Sequence, residues 1–301
     1  MSAMTLRQLY DYGRRTLAAL PVDAPDHEAL LLCQHFLGIG GRIDITARGD
    51  SVPQKDAVAG FLAALEQRSH RPLQYILGEW EFCGMPLAVG EGVLVPREDT
   101  AALVEVVCEH ISRLLEENAK GSGGQPPRPV RVLDLCAGSG AVGLAAVRAF
   151  PNVSCTFVEY SKDALPWLRR NTARWGDGRT EIVELDVLAP PPQDFPRGLD
   201  VICSNPPYIP AGDIDGLARE VRQEPRMALD GGEDGLCFYR AIARNWAPLL
   251  REGGLLAVEI GAGQECDVER IYVRELAMNP HQKTDFNGVI RAIYGTDGAK
   301  S

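Results

Sequence analysis

The sequence predicts a doubly wound α/β domain, built on a mostly parallel sheet and preceded by a small helical domain. Three observations carry this. From Val130 onward, short apolar runs alternate with stretches at helical spacing, the pattern of a parallel sheet covered by helices. Residues 1–78, by contrast, place apolar residues at helical spacing only. A glycine-bearing turn, Gly138-Ser139-Gly140, follows the first apolar run directly, at the strand end where such sheets bind ligands.

In chain order, Leu6, Leu9, Tyr10, Gly13, Leu17 and Leu20 predict a first helix. Pro25-Asp26 opens a second, stopped by Gly38 and Gly40-Gly41, and Pro53 opens a third that turns Val58, Phe61, Leu62 and Leu65 inward. This three-helix bundle has little room for a catalytic pocket and reads equally as a docking domain or a structural cap. Glu79 to Pro96 reads as a β-hairpin linking it to a second domain, residues 79–301. A long helix runs from Arg97 to about Asn118, and Lys120 to Pro129 is a connector by composition. Strands follow at Arg131–Leu135, Val153–Val158, Glu181–Leu185 and Gly198–Ser204. Helices are expected at Ala141–Phe150 and Lys162–Trp175. A helix over 235–249, a strand from Leu255 to Ile260, a helix near 265–277 and two closing antiparallel strands complete a seven-stranded sheet.

Composition narrows the function. Over 301 residues, 45% hydrophobic and 24% charged residues describe a chain able to bury a core. A net charge of -10 argues against broad binding to a phosphate backbone, so no direct nucleic-acid contact is expected. The eight cysteines form no Cys-x-x-Cys pair and no metal spacing, so they read as reduced, mostly buried thiols without a metal. With no apolar run of membrane length and no leader-like N-terminus, the expectation is a cytoplasmic protein without membrane association.

The fourth strand leads into Asn205-Pro206-Pro207-Tyr208. Two prolines fix two φ angles and remove two donors, leaving a stiff loop rich in acceptors beside a flat ring. Such a loop suits a planar NH2 group, whose two hydrogens need two acceptors. Two acceptors, the Asn205 side chain and the Pro206 carbonyl, would fix an amide nitrogen and build up its nucleophilicity. Aspartate at 205 would keep an acceptor and should be less harmful than alanine. The other reading of the four residues is a proline-rich turn.

Asp134-Leu135-Cys136-Ala137-Gly138-Ser139-Gly140, with Gly143 and Glu159, matches the dinucleotide fingerprint, so a nicotinamide enzyme must be weighed. Asp134, at a strand end, would instead face an amine or a sulfonium, and Asp186 offers an acceptor for an adenine amino group. Acids at three successive strand ends point to S-adenosylmethionine, with Glu159 on the ribose. The cofactor side then comprises Asp134, Cys136, Ala137, Gly138, Ser139 and Gly140. Glu159, Tyr160, Asp186, Val187 and Asn205 complete it. Asn205, Pro206 and Tyr208 form the catalytic group. Arg97 and Pro207 join those three on the acceptor side.

From about residue 50 onward the chain resembles the peptide chain release factor N5-glutamine methyltransferases. The likeness rests on Arg71-Pro72-Leu73-Gln74-Tyr75, Pro96-Arg97 with Asp99-Thr100, and Asp134 to Gly140. It continues through Asn205 to Ile209, Glu224-Pro225, Asp234-Gly235-Leu236, Glu259-Ile260-Gly261 with Gln264, and Asp285, Gly288 and Arg291. The resemblance implies a Rossmann-like S-adenosylmethionine-dependent domain that yields S-adenosylhomocysteine. It also implies a release factor as partner, methylated on the glutamine of its Gly-Gly-Gln motif; separately, a monomer is expected. Glu98 stands where the family usually has proline, Ala101 where it has glutamate, and Glu159 where aspartate is commoner. Methylation of a ribosomal-protein glutamine stays open as an alternative, as does, at greater distance, a DNA adenine methyltransferase. Gly123-Gly124-Gln125 matches the substrate motif within the chain itself and reads as coincidence.

Overall fold

In the computed structural model, which describes residues 4–121 and 128–296, the chain divides into two units between Glu79 and Trp80. The first is helical, with five helices where periodicity gave three: α1 Leu6–Ala18, α2 Pro25–Leu37, α3 Arg42–Ala47, α4 Lys55–Gln67 and α5 Leu73–Leu77. The two additions are too short to show a period, and α3 buries a single residue, Ile45. Its N-terminal side is held by Asp44, which accepts from the Gly40 N–H at 2.6 Å. Thr5 and Gln8 form a reciprocal capping box at the start of α1. Arg68, beyond α4, grips Glu28 of α2 through Nε at 2.7 Å and through a second nitrogen at 2.9 Å. This fork is buried at Arg68, so removing either partner strands a charge.

The second unit holds β1 Glu79–Phe82, β2 Met85–Ala88, α6 Ala101–Gly121, β3 Val130–Leu135, α7 Ala141–Ala149 and β4 Val153–Glu159. Then come α8 Leu165–Trp175, β5 Thr180–Glu184, β6 Leu199–Ser204, α9 Cys237–Ala241, β7 Leu250–Glu259, α10 Glu265–Leu276, β8 His281–Thr284 and β9 Ile290–Thr296. β1 and β2 pair alone, and the other strands form a seven-stranded sheet in the order β5-β4-β3-β6-β7-β9-β8. β5 to β7 are parallel, while β9 runs antiparallel to both β7 and β8. Alternate strand residues feed opposite faces. Val132, Phe157, Val201 and Leu255 pack with residues of α6, α7 and α8, whereas Leu133, Val158, Ile202 and Leu256 pack with Tyr239, Trp246 and Tyr272.

Several boundaries moved. The hairpin ends at Ala88, not Pro96, because the chain then runs against α8: a Cβ on Gly90 would lie 2.3 Å from the Trp167 ring. The helix expected over 235–249 is broken. After α9 comes a π-turn, Ile242–Trp246, and a tight 3₁₀ turn, Ala247–Leu249, because Pro248 has no N–H to continue the ladder. β7 starts at Leu250, five residues early, and absorbs the two glycines through a register shift opposite β6. Of the eight thiols, all free, only Cys33, Cys155 and Cys203 are buried. Cys83 and Cys266 are exposed, the first in the β1–β2 turn and the second in the first turn of α10. Gly123-Gly124-Gln125 lies outside the described residues. Among those described, no helix is long and apolar enough to cross a membrane.

Candidate active site

From β3 the chain passes outward to β4 and β5, and β6 returns on the other side of β3, so the order reverses between β3 and β6. Loops leaving these two strands must part, which opens a crevice at their carboxyl ends. One loop is the glycine turn and the other is Asn205 to Tyr208. Two open clefts meet there, of about 940 Å³ and about 910 Å³ counted out to open solvent.

Asp134, Cys136, Ala137, Gly138, Ser139, Glu159, Tyr160, Asp186, Val187 and Asn205 line the first cleft. Gly140 does not. It takes φ +82 at the head of α7, where a Cβ would sit 2.8 Å from Leu168 Cδ1, so its part is to make the turn. Pro206, Tyr208 and Arg97 line the second cleft, whereas Pro207 lines the first. Asn205 lines both.

The acids are more occupied than strand-end positions imply. Glu159 is buried and accepts from the Gly138 N–H at 2.7 Å and the Ser161 N–H at 2.6 Å. It therefore shapes the glycine turn as well as facing the cleft. Burial raises its pKa against the pull of those N–H groups. Asp134 accepts from the Gly143 N–H at 2.9 Å, at the head of α7. Burial lifts it to about 8, opposed by that bond and aided by the nearby Glu159 charge.

A pH effect follows for the ligand-free protein. With the folded value above the unfolded one, the contribution of Asp134 to stability is complete below the unfolded pKa. It is lost as pH rises through about 8. Asp134→Asn keeps an acceptor for Gly143 and cannot ionise. The melting temperature of the variant is expected to gain on wild type by several degrees between about pH 5 and about pH 9, by calorimetry. A pH-independent difference would refute this.

The Asn205 loop is held from below. Asn205 Nδ2 donates to Thr100 Oγ1 at 3.2 Å, which leaves Oδ1 as the end of the amide that can take an N–H. Gln264 Nε2 donates to the Tyr208 carbonyl at 2.9 Å, and Gln264 Oε1 accepts from the Gly261 N–H at 2.9 Å. The Tyr208 carbonyl is thus spent on structure. Gly235, at φ +73, fits here because a Cβ would lie 2.4 Å from that carbonyl oxygen. Glu224 is buried, accepts from the Val95 N–H at 3.1 Å and pairs with Arg97, fixing the loop that walls both clefts.

Sequence reasoning assigned no role to Thr100, Glu224, Glu259 or Gln264. Each lay in a segment quoted for the family resemblance. That was the only signal, since Thr100, Glu224 and the Glu259–Gln264 segment lie far apart in sequence and converge only through the fold.

Comparison with known proteins adds a second line. Residues 8–78 match the family described as PrmC N-terminal domain, and residues 112–233 match Methyltransferase small domain. The chain is 35% identical over 296 residues to a release factor glutamine methyltransferase of Geobacter sulfurreducens, covering 98% of this chain and 97% of that one. It is 37% identical over 265 residues to one of Moorella thermoacetica, covering 87% of each. The solved hMettl16 catalytic domain, in complex with MAT2A 3'UTR hairpin 1, aligns with a TM-score of 0.55 at 10% identity. It covers 84% of this chain and 85% of that one, and the likeness shows the fold alone. On identity and coverage, this chain belongs to the release factor glutamine methyltransferase family.

Proposed function

We propose that this protein transfers the methyl group of S-adenosylmethionine to the N5 nitrogen of the glutamine in a release factor's Gly-Gly-Gln motif. One observation carries the reading: Asn205 lines both clefts, so a donor in one and an amide in the other would meet at its side chain. The first cleft suits the donor. Its walls carry acids at three strand ends, and the buried Asp134 carboxyl gains a reason to ionise once a cation lies beside it. Glu159 would bind the ribose, Asp186 the adenine amino group, and the half-exposed Tyr160 ring a planar base. S-adenosylmethionine supplies the sulfonium methyl group.

The chain's own part is positioning. An amide nitrogen is a poor nucleophile because its lone pair is delocalised. Asn205 Oδ1 and the Pro206 carbonyl would take its two N–H groups, and the Tyr208 ring would lie along its plane. Such orientation is worth ~7–11 kcal/mol in well-aligned systems. Arg97, held by Glu224, borders the acceptor cleft where the rest of the substrate loop would pass. The helical unit is read as the part that docks the release factor. A monomer acting in the cytoplasm belongs to the same proposal.

The test is tritiated S-adenosylmethionine with purified release factors and ribosomal proteins, followed by mass spectrometry of the labelled peptide. Label on the Gly-Gly-Gln glutamine is expected. Label on a ribosomal protein alone would favour the sister activity, and label on Gln125 would mean self-methylation. Glu159→Ala is expected to weaken cofactor binding at least about tenfold, since the variant loses a ribose acceptor and the grip on Gly138 and Ser161 together. Unchanged affinity by titration calorimetry would remove Glu159 from the site.

A further inference from the structure

Glu259 ends β7 in the wall of the acceptor cleft. It is 1% exposed, and Oε2 has no hydrogen-bond partner. A buried carboxyl oxygen left without a donor is costly, so it calls for an explanation. Asn205, Pro206 and Tyr208 line the same cleft. Thr100 joins the two sides: its hydroxyl oxygen accepts from Asn205 Nδ2, and its hydroxyl also favours the charged form of Glu259. The residue read as gripping the acceptor amide and the acid with a spare oxygen therefore share one hydroxyl.

Building on the methyl-transfer reading above, we infer that Glu259 is the general base of this reaction, and that Oε2 takes the proton shed by the amide nitrogen, the one the Pro206 carbonyl would hold before transfer, since Pro206 and Glu259 line the same cleft. The nitrogen lone pair bonds to the methyl carbon, and the carbon–sulfur bond breaks with its electron pair going to sulfur. The N–H electron pair stays on nitrogen as the proton passes to Oε2. A sulfonium cation and a carboxylate become a neutral thioether and a carboxylic acid, so charge and atoms balance.

The surroundings suit that task. Burial is the largest influence on Glu259 and pushes its pKa to about 7, where a base is both available and able to accept. The Thr100 hydroxyl, Arg291 of β9 and the Tyr208 hydroxyl favour the carboxylate, while Asp99 opposes it. Tyr208 and Tyr239 face it as phenols whose pKa values burial raises, while the Arg97 charge works to lower that of Tyr208.

The experiment is the single-turnover rate against pH, from about 5.5 to about 9, for full-length wild type, Glu259→Gln and Glu259→Asp. The acceptor is the protein that wild type labels, and cofactor affinity is measured alongside. Wild type is expected to speed up with pH and level off above about 7. Glu259→Gln is expected to be slower by about 10²-fold and to lose the rise, with cofactor affinity unchanged. Asp134 is the competing source of a rise, so a rise that survives in Glu259→Gln overturns the inference, as does a near-normal rate. Should Glu259→Gln not fold, the other two proteins decide. A flat wild-type profile, or one that Glu259→Asp leaves unmoved, overturns the inference, and a shifted midpoint supports it. A wild-type protein that labels nothing sinks the methyl-transfer reading and this inference with it. A labelled product with an indifferent Glu259→Gln sinks this inference alone.

Discussion

Asn205→Ala is expected to slow single-turnover methyl transfer by about 10²–10³-fold while leaving the melting temperature nearly unchanged. The magnitude is that of one preorganised hydrogen bond lost from a transition state. The fold should survive because Pro206 and Pro207 stiffen the loop and Gln264 holds the Tyr208 carbonyl from beneath. The Thr100 contact changes the expectation for aspartate. Asparagine uses Nδ2 as a donor to Thr100, which leaves Oδ1 for the proposed substrate contact. A carboxylate has no donor, so it would draw the Thr100 hydroxyl away from Glu259 and set a second negative charge beside a buried acid. Asn205→Asp should therefore be no better than Asn205→Ala, the reverse of the order argued from acceptor count alone. A full-rate Asn205→Ala enzyme, or a loss of stability that accounts for the loss of rate, would return the loop to a structural role.

The second large effect is expected at Asn171, in the middle of α8. It is fully buried and works as a strand edge folded into a side chain. Its Oδ1 accepts from the Ala88 N–H at 2.7 Å, and its Nδ2 donates to the Ala88 carbonyl at 3.1 Å and the Ser139 carbonyl at 2.9 Å. The end of the hairpin and the glycine turn are thereby tied to one helix. Asn171→Leu keeps the volume and leaves three buried backbone groups without partners. At roughly 1 kcal/mol or more for each, the loss is about 3 kcal/mol. For a unit of this size that lowers the melting temperature by about 6–12 °C. Cofactor affinity should fall as well, because Ser139 lines the first cleft, where the cofactor is proposed to bind. Thermal denaturation and calorimetry on one sample check both. A melting temperature within about 2 °C of wild type would show that water or relaxation replaces the lost bonds.

These two residues mark what the sequence made legible. The order of strands and helices from Val130 onward was readable because buried parallel strands and amphipathic helices differ in period. Asn205 and the strand-end acids were readable because ligands bind where the sheet order reverses. Asn171 was not, since one asparagine in a helical stretch looks like any surface residue until Ala88 is folded against it. Glu259 was hidden in another way. Within the run Leu255–Ile260 it shows no partner in the sequence, and only the packing of Thr100, Tyr208 and β9 around it shows that it is buried in the cleft wall. The short α3 and the broken helix before β7 escaped because periodicity needs length and continuity. Gly140 and Pro207 were placed by motif membership, which does not say which way a backbone turn faces.

β6 itself has two unlike ends. Near its start, Asp200 is fully buried and gripped by Arg128 at 2.5 Å, by Arg251 at 2.6 Å and by the Arg131 N–H at 2.8 Å. Burial works to raise its pKa, yet these partners hold it below the usual carboxylate range. That stabilisation is present above the unfolded value and lost as pH falls through the folded one. At the other end, one residue past Ser204, stands Asn205. Four residues of the strand, Val201 to Ser204, thus separate the anchor from the tip. For an engineer, this divides the labour of redesign. The loops beyond Ser204 can be exchanged to accept a different side chain while the arginine-bound end holds the strand at neutral pH, and a library confined to the tip should lose far fewer members to misfolding than one spread along the strand.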